Sequence, residues 1–429
     1  MEIFTAKRVL IGNELKQNIY IKVCDGLITE ISEDKPEGNV TDFGNSVIVP
    51  GTVNTHTHSM QSLFRGFGDD LGLFSWLQNV VYKYCDLMDE RHAYWGALLT
   101  FAEMIKSGVT TVVDFFYLNG PDDIYARAVI KAANDLGIRL VLARTMMDWD
   151  KGAAIVREDP EMAGNRFMEL YNDFKNDRNV KVCPAPHSVY GASEEMIQKA
   201  LDISHKLDIA CHMHVSDSKS ACEVAVEKTG RSYVRYLKDI GALNSKFVAI
   251  HCTWCSDEEL DMLAEAGAKI SHNPSSNKFL GDPTARVVDM LKRGITVGLG
   301  TDGAASNNRM SIFSEMKMAA LDQKSRYLDP QIITADIAWK MGTKDGAVIS
   351  GFPTGEIKIG LEADFLVLDL NNLSLNPENK LKSHLVYSMS DSSISHVYVS
   401  GRAIVADGEI RTIDTERLVR EVNSLASAW

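Results

Sequence analysis

The chain has 429 residues, enough to bury a large core as one big α/β domain with a smaller companion, or as two to three ordinary domains. Its 45 basic and 58 acidic residues leave a formal net charge of −13, which argues against nucleic acid or an anionic membrane surface as the main partner and favours a small molecule. Met1 to Lys16 lacks the apolar core of a cleaved leader, and no later run reaches the ~18 apolar residues of a membrane span, so a cytoplasmic protein is expected. The seven cysteines are scattered and odd in number, which reads as reduced thiols rather than a disulfide framework. Cys252-Thr-Trp-Cys255 lacks the second pair of a structural zinc site and is read as buried thiols.

The first 50 residues read as short strands: Glu2 to Ile11, Asn18 to Val23, Leu27 to Glu30 and Ser46 to Val49, with Asp25-Gly26 as a hairpin turn. The middle of the chain carries eight apolar runs of strand length. They are Val47 to Val53, Thr110 to Phe116, Arg139 to Thr145, Val180 to Ala185, Ile209 to Val215, Phe247 to Cys252, Lys269 to His272 and Ile295 to Thr301. Between them lie stretches with apolar residues at three- and four-residue spacing, such as Ala93 to Lys106, Ile124 to Leu136, Glu194 to Leu207, Glu258 to Ala266 and Ala285 to Lys292. Several of these end in glycine just before the next run, the expected helix C-terminal cap. Eight strand-helix units predict a TIM-type (β/α)8 barrel over residues 51–354, in the size range of such barrels. No G-x-G-x-x-G follows a strand to support a doubly wound sheet instead. Short strands return at Ala363 to Leu370, Ile394 to Ser400 and Arg402 to Val405, so residues 1–50 and 355–429 are expected to form one small β-sandwich domain from both chain ends.

Barrel enzymes carry their chemistry where strands end and βα loops begin. Here the first strand ends in His56 and His58, the fourth leads to His187, the fifth carries His212 and His214, the sixth ends at His251, the seventh at His272 and the eighth at Asp302. Seven of the chain's 11 histidines thus fall at predicted strand ends. Side chains alternate along a strand, so His56 and His58 project to the same side, close enough to share one cation. Imidazole nitrogens with one carboxylate oxygen suit zinc or another borderline divalent ion.

Pro50-Gly-Thr-Val-Asn-Thr-His-Thr-His58, Cys211-His-Met-His-Val215, Ala249-Ile-His-Cys252, Ser271-His-Asn-Pro-Ser-Ser-Asn-Lys278, Thr301-Asp-Gly-Ala-Ala-Ser306 and Gly360-Leu-Glu-Ala-Asp-Phe-Leu-Val-Leu368 stand in one order along nearly the whole chain. In them the chain resembles the amidohydrolase superfamily, and within it the branch of methylthioadenosine/S-adenosylhomocysteine deaminases and triazine hydrolases. The resemblance implies His56, His58, His214 and Asp302 as ligands of one divalent ion, Zn2+ first, with Fe2+ or another transition metal as alternatives. It places His251 beside the water. Binuclear members have a lysine at the end of the fourth strand; Pro184-Ala-Pro-His187 has none, which favours one metal. His187, Trp76 and Ser306, with Arg144 and Arg157, are implied as substrate contacts, and His272 as a residue that shapes the pocket. A homo-oligomer is implied by resemblance as well.

The deaminase pattern on the fifth strand is His-x-His-x-x-Glu, whereas this chain reads His212-Met-His214-Val-Ser-Asp217. Asp217 offers the same acid chemistry with one methylene less reach. The implied reaction is hydrolytic deamination of an aminated nitrogen heterocycle, with Asp302 taking a proton from water and Asp217 protonating the ring nitrogen. Adenine nucleosides such as S-adenosylhomocysteine, methylthioadenosine or adenosine are the expected substrates. The alternatives are a triazine-type chloro- or aminohydrolase, or a deaminase of guanine, a pterin or another heterocycle; a non-enzymatic metal-stabilised binding protein would not need this set of ligands.

Overall fold

In the computed structural model, which describes residues 1–427 and 429, the buried runs of the middle of the chain become eight parallel strands. These are β1 (Thr52–Thr57), β2 (Val109–Phe116), β3 (Arg139–Met146), β4 (Val180–Pro186), β5 (Cys211–Val215), β6 (Phe247–His251), β7 (Lys269–His272) and β8 (Val297–Leu299). Strands β1 to β4 form one four-stranded sheet and β5 to β8 another. Backbone bonds join the two at both seams: His214 N donates to His187 O at 3.1 Å, and Asp302 N to His56 O at 3.0 Å. The result is the expected (β/α)8 architecture, and residues that close it are site candidates themselves. Every residue of β2 and β3 is buried, as a parallel sheet covered on both faces requires.

The connecting helices have local causes. Ser256 and Glu259 form a reciprocal capping box at the start of Asp257–Glu265, and Ser193 accepts Met196 N at 3.1 Å to start Glu194–Leu207. Helix Ile124–Leu136 stops at Gly137, whose φ of +93° suits a residue without Cβ and whose N–H returns to Ala133 O. No described helix is long and apolar enough to cross a membrane.

One expected strand divides. The run Val47 to Val53 is split at Gly51: Ser46–Pro50 pairs antiparallel with Phe365–Asp369, outside the barrel, and β1 starts at Thr52. A Cβ on Gly51 would lie 2.2 Å from Thr110 Oγ1, so only glycine lets the chain cross this close to β2. A continuous apolar run carries no mark of such a change of sheet.

Both chain ends build a second unit. A seven-stranded sheet runs in the order Glu409–Ile410, Arg402–Ala406, Ile394–Val399, Phe365–Asp369, Ser46–Pro50, Arg8–Ile11, Glu14–Lys16. A four-stranded sheet holds Leu27–Ser32, Tyr20–Cys24, Glu2–Thr5 and Val40–Asp42. Phe4, Ile21, Ile48, Phe365 and Tyr398 fill a core of their own, with Phe365 and Tyr398 stacked at 4.6 Å. The strands Glu14–Lys16, Val40–Asp42 and Glu409–Ile410 were not expected, since short polar strands carry no alternation signal.

A buried charge network ties this unit to the barrel. Arg139 begins β3 with no exposed side-chain surface, and its guanidinium binds Asp364 at 2.8 and 3.1 Å, Glu362 at 2.6 Å and Ser400 at 2.5 Å. Removing one partner of a buried ion pair strands the others at a cost of about 3–5 kcal/mol. Arg139→Met is therefore expected to lower unfolding stability by about that amount in a denaturant titration. A loss under about 1 kcal/mol would show that water or lysine takes the arginine's place.

Candidate metal centre and active site

Alternation along β1 turns His56 and His58 the same way, with ring centroids 4.7 Å apart. Asp302 arrives from the adjoining seam, and its Oδ1 lies 3.4 Å from Nε2 of each. His214 on β5 and His251 at the end of β6 complete the set. The donor atoms of His56, His58 and Asp302 lie within 4.8 Å of one another, as do those of His56, His214 and His251.

A ligand histidine needs its far nitrogen held by the protein. His58 Nδ1 lies 2.6 Å from Phe115 O and His214 Nδ1 3.0 Å from His187 O, so carbonyls take the Nδ1 protons and Nε2 lone pairs face inward. His56 is fully buried and neither of its ring nitrogens has a hydrogen-bond partner. Such orphaned atoms are costly unless something else satisfies them, and a cation at the shared centre does so. Burial first, then neighbouring histidines, pushes the His58 pKa down to about 3 and holds His214 well below its ordinary value. The rings are neutral at neutral pH, the form that binds metal. The residues present fit a divalent ion.

Two carboxylates are driven in opposite directions. Burial alone would raise Asp302; the close approach of His56, at 3.4 Å, then of His58 and His251, overrides it and holds Asp302 well below the carboxylate range. Ser276 Oγ donates to Asp302 Oδ2 at 2.7 Å and Gly303 N to Oδ1 at 2.8 Å. Asp217 is raised by burial, against the lowering effects of His251 and the Tyr190 hydroxyl, which donates at 3.1 Å. His251 Nδ1 lies 2.8 Å from Asn277 Oδ1, leaving Nε2 turned toward Asp302 Oδ2 at 3.9 Å. The backbone bends sharply to present these groups: φ is +74° at His251, +60° at Asp302 and +47° at Ser216. Left-handed non-glycine residues cost roughly 1–3 kcal/mol each and gather at functional sites.

The donors open into a cleft walled by Leu73, Trp76, Leu77, Tyr82, Met147 and Leu280, with His187 and Asp217 on its lining. Residues 47–404 match the amidohydrolase family. The chain belongs to that family. A 5′-deoxyadenosine deaminase of Methanothermobacter thermautotrophicus is 36% identical over 414 residues, 95% of this chain and 94% of its own. A 5-methylthioadenosine/S-adenosylhomocysteine deaminase of Acetivibrio thermocellus is 34% identical over 424 residues, 97% and 95% of the two chains. The solved structure of an adenosine deaminase from Xanthomonas campestris with bound zinc superposes with a TM-score of 0.91 at 24% identity, covering 99% of this chain and 98% of that one. Atrazine chlorohydrolase from Arthrobacter aurescens, complexed with zinc, gives 0.93 at 23% identity, covering 99% and 100%. These two likenesses are of fold. The family expected from the motifs is borne out.

Within this amidohydrolase, the other expected contacts sort by position. Trp76 reaches the cleft, but its indole N–H is bonded to Ala305 O at 3.2 Å, so it offers a face rather than a donor. Three of the expected contacts do not line the cleft. Ser306 is fully buried behind Asp302, with its hydroxyl 3.0 Å from Ser276 Oγ, and it supports the carboxylate's partner instead of lining the cleft. Arg144 is fully buried and forked onto Asp123 at 2.6 Å and Glu158 at 2.9 Å, with no donor left for a substrate carboxylate. Arg157 is exposed and bonds Asp150 O at 3.3 Å, away from the cleft lining. His212 and His272 are buried and lie outside that lining too. Tyr190 and Asn277 were missed. Both were within reach of the sequence, Asn277 inside the His272 motif and Tyr190 three residues after His187.

Binding confined to the folded state adds about 2.7 kcal/mol when the free ligand is at a hundred times its Kd. Stripping metal with a strong chelator is therefore expected to lower the melting temperature by about 3 °C or more, and re-addition of the ion to restore it. His58→Ala is expected to lose bound metal by elemental analysis; full retention would remove His58 from the ligand set.

Proposed function

We propose that this amidohydrolase is a hydrolytic deaminase of adenine nucleosides that works with one zinc ion held by His56, His58, His214 and Asp302. The observation that carries the reading is the pair of carboxylates facing one cleft, Asp302 held ionised and Asp217 biased toward its protonated form. Opposed pKa values in one site are the mark of an assigned base and acid. The 36% and 34% identical deaminases support the same reaction class.

A bound divalent ion would lower the pKa of water from ~15.7 toward ~7. Asp302 then accepts the proton at Oδ2, where Ser276 already donates and His251 Nε2 faces it. His251 is oriented for this by Asn277. Asp217 gives its proton to the ring nitrogen beside the amine-bearing carbon, and Tyr190 fixes the carboxyl that does so. The aromatic and aliphatic wall takes the faces of the base and keeps bulk water out.

No lysine or arginine among the described residues lines the cleft, and Arg144 is occupied elsewhere. A substrate carboxylate would find no cationic partner here. 5′-Deoxyadenosine and 5′-methylthioadenosine are therefore preferred over S-adenosylhomocysteine. Ammonia release from these nucleosides, pterins and triazines by zinc-loaded protein tests the assignment. Activity on a triazine or pterin alone would overturn it. Asp217→Asn is expected to cut kcat by ~10²–10⁴-fold while zinc stays bound, because a general acid is lost and no ligand is.

A further inference from the structure

Two polar side chains beside the metal ligands have no part in the chemistry above. Gln61 sits in the turn Ser59–Phe64 that follows β1, and Tyr117 is the first residue after β2. Both line the cleft, though Gln61 is only 1% and Tyr117 5% exposed. Gln61 Nε2 donates to the Tyr117 hydroxyl at 3.0 Å, which sets the amide's orientation, and its Oε1 is left with no hydrogen-bond partner. That oxygen lies against Gly303, the residue after Asp302. A Cβ there would come within 1.9 Å of it, so glycine in Thr301-Asp-Gly303 is what admits the amide. The Tyr117 ring stands 5.1 Å from that of His58, and no described residue accepts the proton of its hydroxyl. A phenol is protonated at neutral pH, so this one is a donor in want of an acceptor. Buried polar atoms without partners are costly. On the wall of a cleft, the two call for a ligand that sets a donor against the amide and an acceptor against the phenol.

This inference rests on the nucleoside reading, and the barrel supplies its sense. In a closed ring of eight strands β5 stands across from β1, so Asp217, two residues past β5, meets the cleft from the side opposite the loops that carry Gln61 and Tyr117. An adenine ring has N1 on one side of its amine-bearing carbon. On the other side lies the edge formed by the amine's outer N–H and by N7, a donor next to an acceptor. With N1 at Asp217, that edge turns toward the loops after β1 and β2. We propose that Gln61 and Tyr117 read it, Gln61 Oε1 accepting from the amine that is to leave and the Tyr117 hydroxyl donating to N7. Specificity for a purine then arises beside the reacting carbon, because a base with carbon in place of N7 leaves the phenol unpaired, and a site built to hydrogen-bond a group rejects the analogue that lacks it.

The test compares kcat/KM for adenosine and 7-deazaadenosine in zinc-loaded native protein, Tyr117→Phe and Gln61→Met. The two nucleosides differ in intrinsic reactivity, so the quantity read is the change in their ratio from native protein to variant. In Tyr117→Phe the preference for adenosine is expected to fall by about tenfold or more, since only adenosine loses a buried hydrogen bond. In Gln61→Met, which removes the amine's acceptor and frees the phenol to turn, kcat/KM is expected to fall for both nucleosides and their ratio by about fivefold or more. Zinc content and melting temperature show that each variant is folded, and Gln61→Met carries the test if the phenylalanine variant is not. A ratio that stays within about threefold of the native one in a folded variant overturns the proposal while leaving nucleoside deamination standing. Absence of ammonia from every adenine nucleoside overturns the functional reading, and this one with it.

Discussion

The imidazoles of His56, His58 and His214, packed with a carboxylate around one point, can coexist only if the rings stay uncharged, and burial enforces that. Each of His56, His58, His214 and His251 is at most 5% exposed. Protonating one would set a positive charge against its neighbours in a medium that screens poorly. Neutral rings with lone pairs facing inward are what a cation requires, so the desolvation that keeps water from these nitrogens also suits them to a metal. The barrel supports that cost through its own closure. Its two seams are fastened by His214 N to His187 O and by Asp302 N to His56 O. Displacing His214 or Asp302 would therefore open the fold as well as the site, and the left-handed turns at His251 and Asp302 persist because the surrounding strands leave them no alternative.

The same burial acts differently on the two acids, and the difference lies in their neighbours. Asp302 sits among the histidines and keeps its charge. Asp217 sits one loop away, against Tyr190 and the backbone of Ser218, where desolvation outweighs its partners. Glu315 and Asp114 extend the pattern behind the site. Each is fully buried and raised to about 7 by burial, and each holds a loop: Glu315 accepts from Ser275 N and Asn307, Asp114 from Ser59 N and Oγ. Carboxylates away from the imidazoles thus position backbone, while the one among them keeps the charge the chemistry needs.

Most of the barrel, and the clustering of His56, His58, His214, His251 and Asp302, was legible in the sequence. Strand periodicity and glycine caps bring out β2 to β8 to within two residues at most ends, and strand ends are where parallel barrels expose side chains. Legibility failed where an outcome depends on partners far away in the chain. Arg144 resembles a substrate clamp until Asp123 and Glu158 fold onto it, and no local pattern announces that pairing. Ser306 sits in the right motif but one turn behind the carboxylate it supports. Gly51 hides a change of sheet inside an unbroken apolar run.

Asp217 bears most directly on how far a family pattern transfers. With one methylene fewer than the expected glutamate, its carboxyl would fall short if the backbone ran on as a plain strand. The chain instead leaves β5 through a left-handed Ser216, whose carbonyl is clasped by Thr253 N at 3.1 Å, Trp254 N at 3.2 Å and Thr253 Oγ1 at 2.9 Å. Thr253 Oγ1 also bonds Asp217 O at 2.9 Å, and Tyr190 meets the carboxyl from the opposite loop. Three loops thus hold a short side chain on the cleft lining, where a longer one could reach from a looser turn. The rigidity has chemical value, because a shift of about 1 Å in a reacting group can cost ~10²-fold in rate. The loop after β6 that clasps Ser216 also carries Trp254, which holds the Asp282 carboxylate on the cleft lining, so the placement of the acid and of that other carboxylate is set by one short segment, 252–256.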